Sequence, residues 1–199
     1  MSAALAGIRL ADLPERWSEL GFSVRDSVVD LGGVRVHVGA RGKGIVGWQL
    51  SGIDPASEID GLPTEVVAPE PPAPLSHANG AVGVDHVVVT TTDFERTAAA
   101  LDQAGMPLRR TVTSPKGNRM GFRRLGPAIL ELVSVSGGEP GPARLWGLVV
   151  TVADLDALAA RLGERLGSIR DAVQPGRRIA TLRESAGLGQ AVAFMSPEP

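Results

Sequence analysis

The chain contains no cysteine. This excludes disulfides, thiolate metal sites, iron–sulfur clusters and cysteine nucleophiles together. Histidine is scarce: His37, His77 and His86 are the whole supply, so any imidazole chemistry rests on one of them. Of 20 basic residues only Lys43 and Lys116 are lysine. The net charge is -2, which gives no global pull toward nucleic acid or an anionic membrane. No run approaches the roughly 20 apolar residues of a membrane span. The first residues lack the basic segment and long apolar stretch of a secretion signal. These absences predict a cytoplasmic protein with neither nucleic acid nor membrane as partner.

What is present suits a globular fold. The 199 residues are 43% apolar, enough for a packed core without staples. Residues 53–82 hold six prolines, centred on Pro69-Glu70-Pro71-Pro72-Ala73-Pro74. Proline lacks an amide donor and favours extended backbone, so this stretch reads as a linker or strap.

Three helices are predicted on either side of it. Thr92-Asp93-Phe94-Glu95 is a capping-box pattern, and Phe94, Ala98 and Leu101 then share one face. Asp154 caps a second helix with Leu155, Leu158, Leu162 and Leu166 as its apolar stripe. Asp12-Leu13-Pro14-Glu15 opens a third, with Leu13, Trp17 and Leu20 turned inward. Each helix follows a short apolar run and precedes strand-like segments. Short matches recur in order, such as Ala11-Asp12-Leu13 with Ala153-Asp154-Leu155. The reading is three βαβββ units spanning about 7–51, 86–134 and 147–196.

Such a repeated unit resembles the vicinal oxygen chelate superfamily, which includes glyoxalases, extradiol dioxygenases and bleomycin-resistance proteins. Val84-Asp85-His86-Val87-Val88-Val89 looks like its opening strand, and Gly126-Pro127-Ala128-Ile129-Leu130-Glu131-Leu132 like its closing strand. The resemblance implies an α+β fold of curved, mostly antiparallel sheets. It divides the chain into an N-terminal βαβββ-like module (1–52), a proline-rich linker (53–82) and a glyoxalase-like domain (83–199). That domain would hold two modules, 83–136 and 143–197. The family builds sheets from pairs of modules, so an odd count predicts a homodimer.

The resemblance also implies a divalent ion (Zn, Ni, Fe or Mn) held by first- and last-strand residues. His86 and Glu131 occupy such positions. Imidazole nitrogen and carboxylate oxygen suit these ions. The matching positions of the last module are Gly147 and Ala193, which offer no donor. In the first module Gln49 could serve as a further ligand. The chain therefore reads either as a metal-dependent enzyme or as one that binds no metal.

Glu131 interrupts an apolar strand, where a carboxylate is costly unless it works. It is the candidate catalytic residue, as a base or a metal ligand. Phe122, Arg124 and Trp146 are the candidate lining of a pocket for an aromatic or anionic molecule. His37 reads as surface-exposed and His77 as a turn residue. Arg109-Arg110 and Arg177-Arg178 read as exposed strand doublets. Gly42-Lys43-Gly44-Ile45-Val46-Gly47 matches a dinucleotide fingerprint in letters only, because it precedes a strand rather than a helix. It reads as a hairpin turn. The functional expectation is a glyoxalase-like lyase or isomerase acting beside a carbonyl. The alternatives are a non-catalytic small-molecule binder of the bleomycin-resistance type, and a degenerate dimerisation module.

Overall fold

The computed structural model describes residues 2–71, 76–114, 117–137 and 139–198. Pro72, Ala73 and Pro74 of the proline-rich run, and Lys116, lie outside the described residues. The chain opens with β1 (Ala4–Leu10), α1 (Pro14–Glu19), β2 (Val28–Leu31) and β3 (Val34–His37). β4 (Ile45–Ser51), β5 (Glu58–Ile59) and β6 (Leu62–Val66) follow. These strands form one sheet in the order β2-β3-β1-β4-β6-β5. Residues 53–82, read as linker, therefore contribute two strands, with Ile59 and Leu62 buried.

The second half repeats a full unit twice. β7 (Ala81–Thr91), α2 (Phe94–Gln103), β8 (Arg110–Thr113), β9 (Arg119–Leu125) and β10 (Ala128–Ser134) form one unit. β11 (Arg144–Val152), α3 (Leu155–Leu162), β12 (Arg170–Asp171), β13 (Arg178–Thr181) and β14 (Ala191–Met195) form the next. The resulting sheet runs β12-β13-β14-β11-β7-β10-β9-β8, with β7 and β11 antiparallel at its centre. The fold is α+β, with repeated βαβββ units in mixed sheets.

The first half is organised differently from the sequence reading. The strand parallel to β1 is β3, while β4 lies antiparallel on its other side. β4 thus opens a shortened unit of its own, with β6 parallel to it and no helix between them. The loop through Gly42 and Gly44 does not close a hairpin. It carries the chain past the end of β1, where the Ala11 amide donates to the Gly44 carbonyl. Strand partnership is a tertiary property, and alternation alone did not reveal it. With β1 and β4 paired inside the chain, the odd-module argument for a homodimer loses its basis.

The central strands of the two sheets repeat one another in register. Gly7 faces Arg35 and Gln49 as His86 faces Ile129 and Val149. Arg9 faces His37 as Val88 faces Glu131. Both central pairs skip a residue at the same places: Ala6 and Val46 in the first sheet, Asp85 and Trp146 in the second. In this register His37, not Gln49, stands where Glu131 stands.

One apolar cluster joins the halves. It takes Ile8, Leu31 and Trp48 from the first sheet and Val87, Leu130 and Val150 from the second. Trp17, Leu101 and Leu158 add the buried stripes of the three helices. Phe22 stacks on Phe194 of β14 at 6.1 Å. Burying each large apolar side chain contributes about 2 kcal/mol.

The helix starts follow the sequence in part. Asp154 caps α3 by accepting from the Asp156 and Ala157 amides. α2 is capped by Asp93, one residue later than the capping box placed it. Asp12 caps nothing. Its carboxylate accepts from Trp17 Nε1 at 3.0 Å, the Gly189 amide at 2.7 Å and Gln190 Nε2 at 2.6 Å. Leu13, expected inward, is 61% exposed. Among the described residues, no helix is long and apolar enough to cross a membrane.

Candidate functional site

β7 and β10 position the chemistry. Val87, Val89, Leu130 and Leu132 face the shared core, so His86 and Glu131 emerge on the opposite face of the second sheet. Glu131 lies in a row with Phe122 on β9 and Val88 on β7. His86 is in register with Ile129 and with Val149 on β11. Beyond it, Val149, Ala193 and Met195 form a small apolar cluster with Ala172 and Ile179.

Of the two residues that β7 skips in its pairing with β11, Val82 and Asp85, the second lies beside His86. A bulge re-aims the side chain it carries. Here it brings Asp85 Oδ1 to 2.8 Å from His86 Nδ1. The carboxylate fixes the tautomer, because only a protonated Nδ1 can donate to it. His86 Nε2 then points at Glu131, 3.3 Å from Oε2. Asp85 is held from behind by Arg177, whose Nη2 lies 2.6 Å from Oδ2. The Arg177 Nε–H also donates to the Ser196 carbonyl at 2.9 Å. Arg177, expected at the surface, is 6% exposed. Its neighbour Arg178 is exposed and pairs with Asp156.

The two carboxylates are pushed apart. Burial alone would raise Asp85, but hydrogen bonds from His86 and Arg177 outweigh it and hold the group below the usual carboxylate range. Burial pushes Glu131 up, opposed by the His86 charge and reinforced by that of Asp85. The face thus holds one carboxyl kept ionised and one kept ready to take a proton.

The remaining candidates fall elsewhere. Gln49 lies in the first sheet, where Oε1 sits 3.0 Å from His37 Nε2 and Nε2 donates to Glu65 at 3.0 Å. It does not join His86 and Glu131. Phe122 neighbours Glu131, and Arg124 stands opposite Ile129. Trp146 is 55% exposed and lines a groove between the sheets that includes neither Phe122 nor Arg124. His77 is buried and joins distant backbone. Nδ1 accepts from the Ser23 amide at 3.0 Å, and Nε2–H donates to the Asp30 carbonyl at 2.8 Å.

A resident metal does not fit this donor set. His86 commits Nδ1 to Asp85, leaving Nε2 and the Glu131 carboxylate as the facing donors. The flanking positions on the other half of the sheet are Gly147 and Ala193. Among the described residues, no cluster of three His, Asp or Glu side chains is arranged to hold an ion. Sequence reasoning missed Asp85 and Arg177. An aspartate beside the candidate histidine in an apolar strand was the available signal.

Comparison with known proteins adds the fold class. No protein-family model matches the chain. No curated protein matches it either. Solved structures do. A methylmalonyl-CoA epimerase from Mycobacterium tuberculosis matches at 22% identity and a TM-score of 0.50, over 60% of this chain and 91% of that one. A Streptomyces coelicolor methylmalonyl-CoA epimerase variant, bound to 2-nitronate-propionyl-CoA, matches at 18% identity and a TM-score of 0.48. That match covers 58% of this chain and 97% of the other. The likeness is one of fold: the architecture is of the glyoxalase type.

Proposed function

We propose that the protein is a glyoxalase-type isomerase that moves a proton on the carbon beside a carbonyl, with Glu131 as the base. The observation that carries this is the half-buried Glu131 carboxyl facing His86 Nε2 at 3.3 Å, with Asp85 fixing the far side of the ring. A base raised by burial is better matched to abstracting a weakly acidic C–H proton. Glu131 takes the proton, and the electron pair moves onto the carbonyl oxygen as an enolate. With its Nδ1–H held by Asp85, His86 acts as the imidazolium, and its Nε2–H donates a hydrogen bond to that oxygen. Return of a proton to the opposite face of that carbon, after the enolate has turned over against Glu131, restores the carbonyl as the other isomer. Asp85 and Arg177 touch no substrate. They position the imidazole. Phe122 and the exposed Arg124 border the same face and would contact the rest of the substrate.

The class of substrate is a small carbonyl compound. The fold neighbours named methylmalonyl-CoA epimerase make acyl thioesters, methylmalonyl-CoA included, the first compounds to try. The test is deuterium uptake from heavy water across thioesters, 2-hydroxy ketones and 2-hydroxy aldehydes. A compound labelled by the wild type and not by Glu131→Gln identifies the substrate class. No labelling anywhere in the panel counts against the reading.

A second reading, a non-catalytic binder, draws on Gly147 and Ala193, which leave half of the face without chemistry. A binder would retain its ligand in the Glu131→Gln variant.

A further inference from the structure

The two sheets meet along a seam, and the seam encloses a groove of about 670 Å³, the size of a typical ligand pocket. It is built from equivalent stretches of the two repeats. Residues 43–46 enter β4 on one wall, and residues 143–146 enter β11 on the other. Its two skipped residues, Val46 and Trp146, occupy the same position in each sheet. None of its lining residues belongs to the Asp85–His86–Glu131–Arg177 cluster.

The chemistry of the groove is lopsided. Lys43, Arg144 and Arg183 line it, against a single carboxylate, Glu184. All three cations are exposed, and none forms an ion pair among the described residues. Trp146, the most exposed aromatic side chain, lies in the same groove. In a chain of net charge -2, a local excess of unpaired cations beside an open indole is a recognition pattern. Guanidinium groups match phosphate oxygens in bidentate fashion, and an indole face stacks on a planar ring.

We propose that this seam groove binds a nucleoside phosphate, with the base against Trp146 and the phosphates against Lys43, Arg144 and Arg183. The site is independent of the proton-transfer reading.

The chain reports on this site by itself. It has no tyrosine and three tryptophans, of which Trp17 and Trp48 are fully buried. Quenching of indole emission therefore reads Trp146. Titration of the full-length protein with ADP should quench emission saturably. The Arg144→Ala/Arg183→Ala double variant should weaken binding by at least about tenfold, the loss of charge-assisted contacts. Trp146→Phe should remove the quench, while calorimetry still detects weakened ADP binding. Pyrophosphate should compete, but less tightly than ADP. Absence of saturable quenching at millimolar ADP overturns the proposal. So does unchanged affinity in the double variant, or pyrophosphate binding as tightly as ADP. Circular dichroism on each variant separates lost binding from lost fold.

Discussion

His86 Nε2 lies 3.3 Å from Glu131 Oε2 on the face of the second sheet turned away from the core, and its other nitrogen is held by Asp85. Two carboxylates thus share one imidazole, and their environments drive them in opposite directions. That separation is how a site holds a base and an orienting anion side by side.

The pH dependence of stability follows from the raised Glu131. The folded state binds its proton more tightly than the unfolded chain does. Ionising it costs stability once pH exceeds the unfolded value of about 4.3, and the cost levels off above the folded value. The melting temperature of Glu131→Gln, relative to wild type, should therefore rise with pH across that window. A difference that falls with pH would contradict the burial argument.

Asp85 gives the opposite sign. Its folded value is depressed, so its contribution is present above the unfolded value of about 3.9 and is lost as pH falls through the folded value. Asp85→Asn should destabilise at neutral pH and lose that effect in acid. Arg177→Met removes one partner of a buried pair and should cost about 3 kcal/mol at neutral pH. Chemical denaturation at both pH values checks this, and a neutral Arg177→Met would sink the positioning role.

Asp12 should prove a joint between the halves. It accepts from the Trp17 indole, the Gly189 amide and the Gln190 side chain. Asp12→Ala leaves a buried indole N–H unpaired and should cost about 2–3 kcal/mol. Because one apolar cluster spans both sheets, calorimetry on the wild type should show one unfolding transition. Two separate transitions would show that the halves fold apart.

Much of this architecture was legible in the sequence. Asp154 and the stripe Leu155, Leu158 and Leu162 located α3, and β7 and β10 carried the glyoxalase resemblance. The shortened unit from β4 to β6 was not legible, because it has no helix to punctuate it. Gln49 was named where His37 stands, because which strand lies parallel to β1 is decided by packing between sheets. Glu131 and His86 were found because polar groups stand out in apolar strands. Arg177 was lost because an arginine doublet near a turn looks like surface until its buried partner is known.

Metal ions offer a simple check on the donor set. With His86 Nε2 and Glu131 as the facing donors, added Zn²⁺, Ni²⁺ or Mn²⁺ should leave the melting temperature of the wild type unchanged. An ion that binds the folded state stabilises by about 2.7 kcal/mol at a hundredfold excess over its dissociation constant. A rise abolished by His86→Ala would reveal a ligand set that the sheet register does not supply.

The most direct measurement is the rate of solvent deuterium uptake into a carbonyl substrate by wild type, Glu131→Gln and Asp85→Asn, side by side. Glu131→Gln should lose at least about a hundredfold, the range expected for a general base. Asp85→Asn should keep part of the rate with an altered pH profile. A Glu131→Gln enzyme that labels its substrate at the wild-type rate would contradict the account.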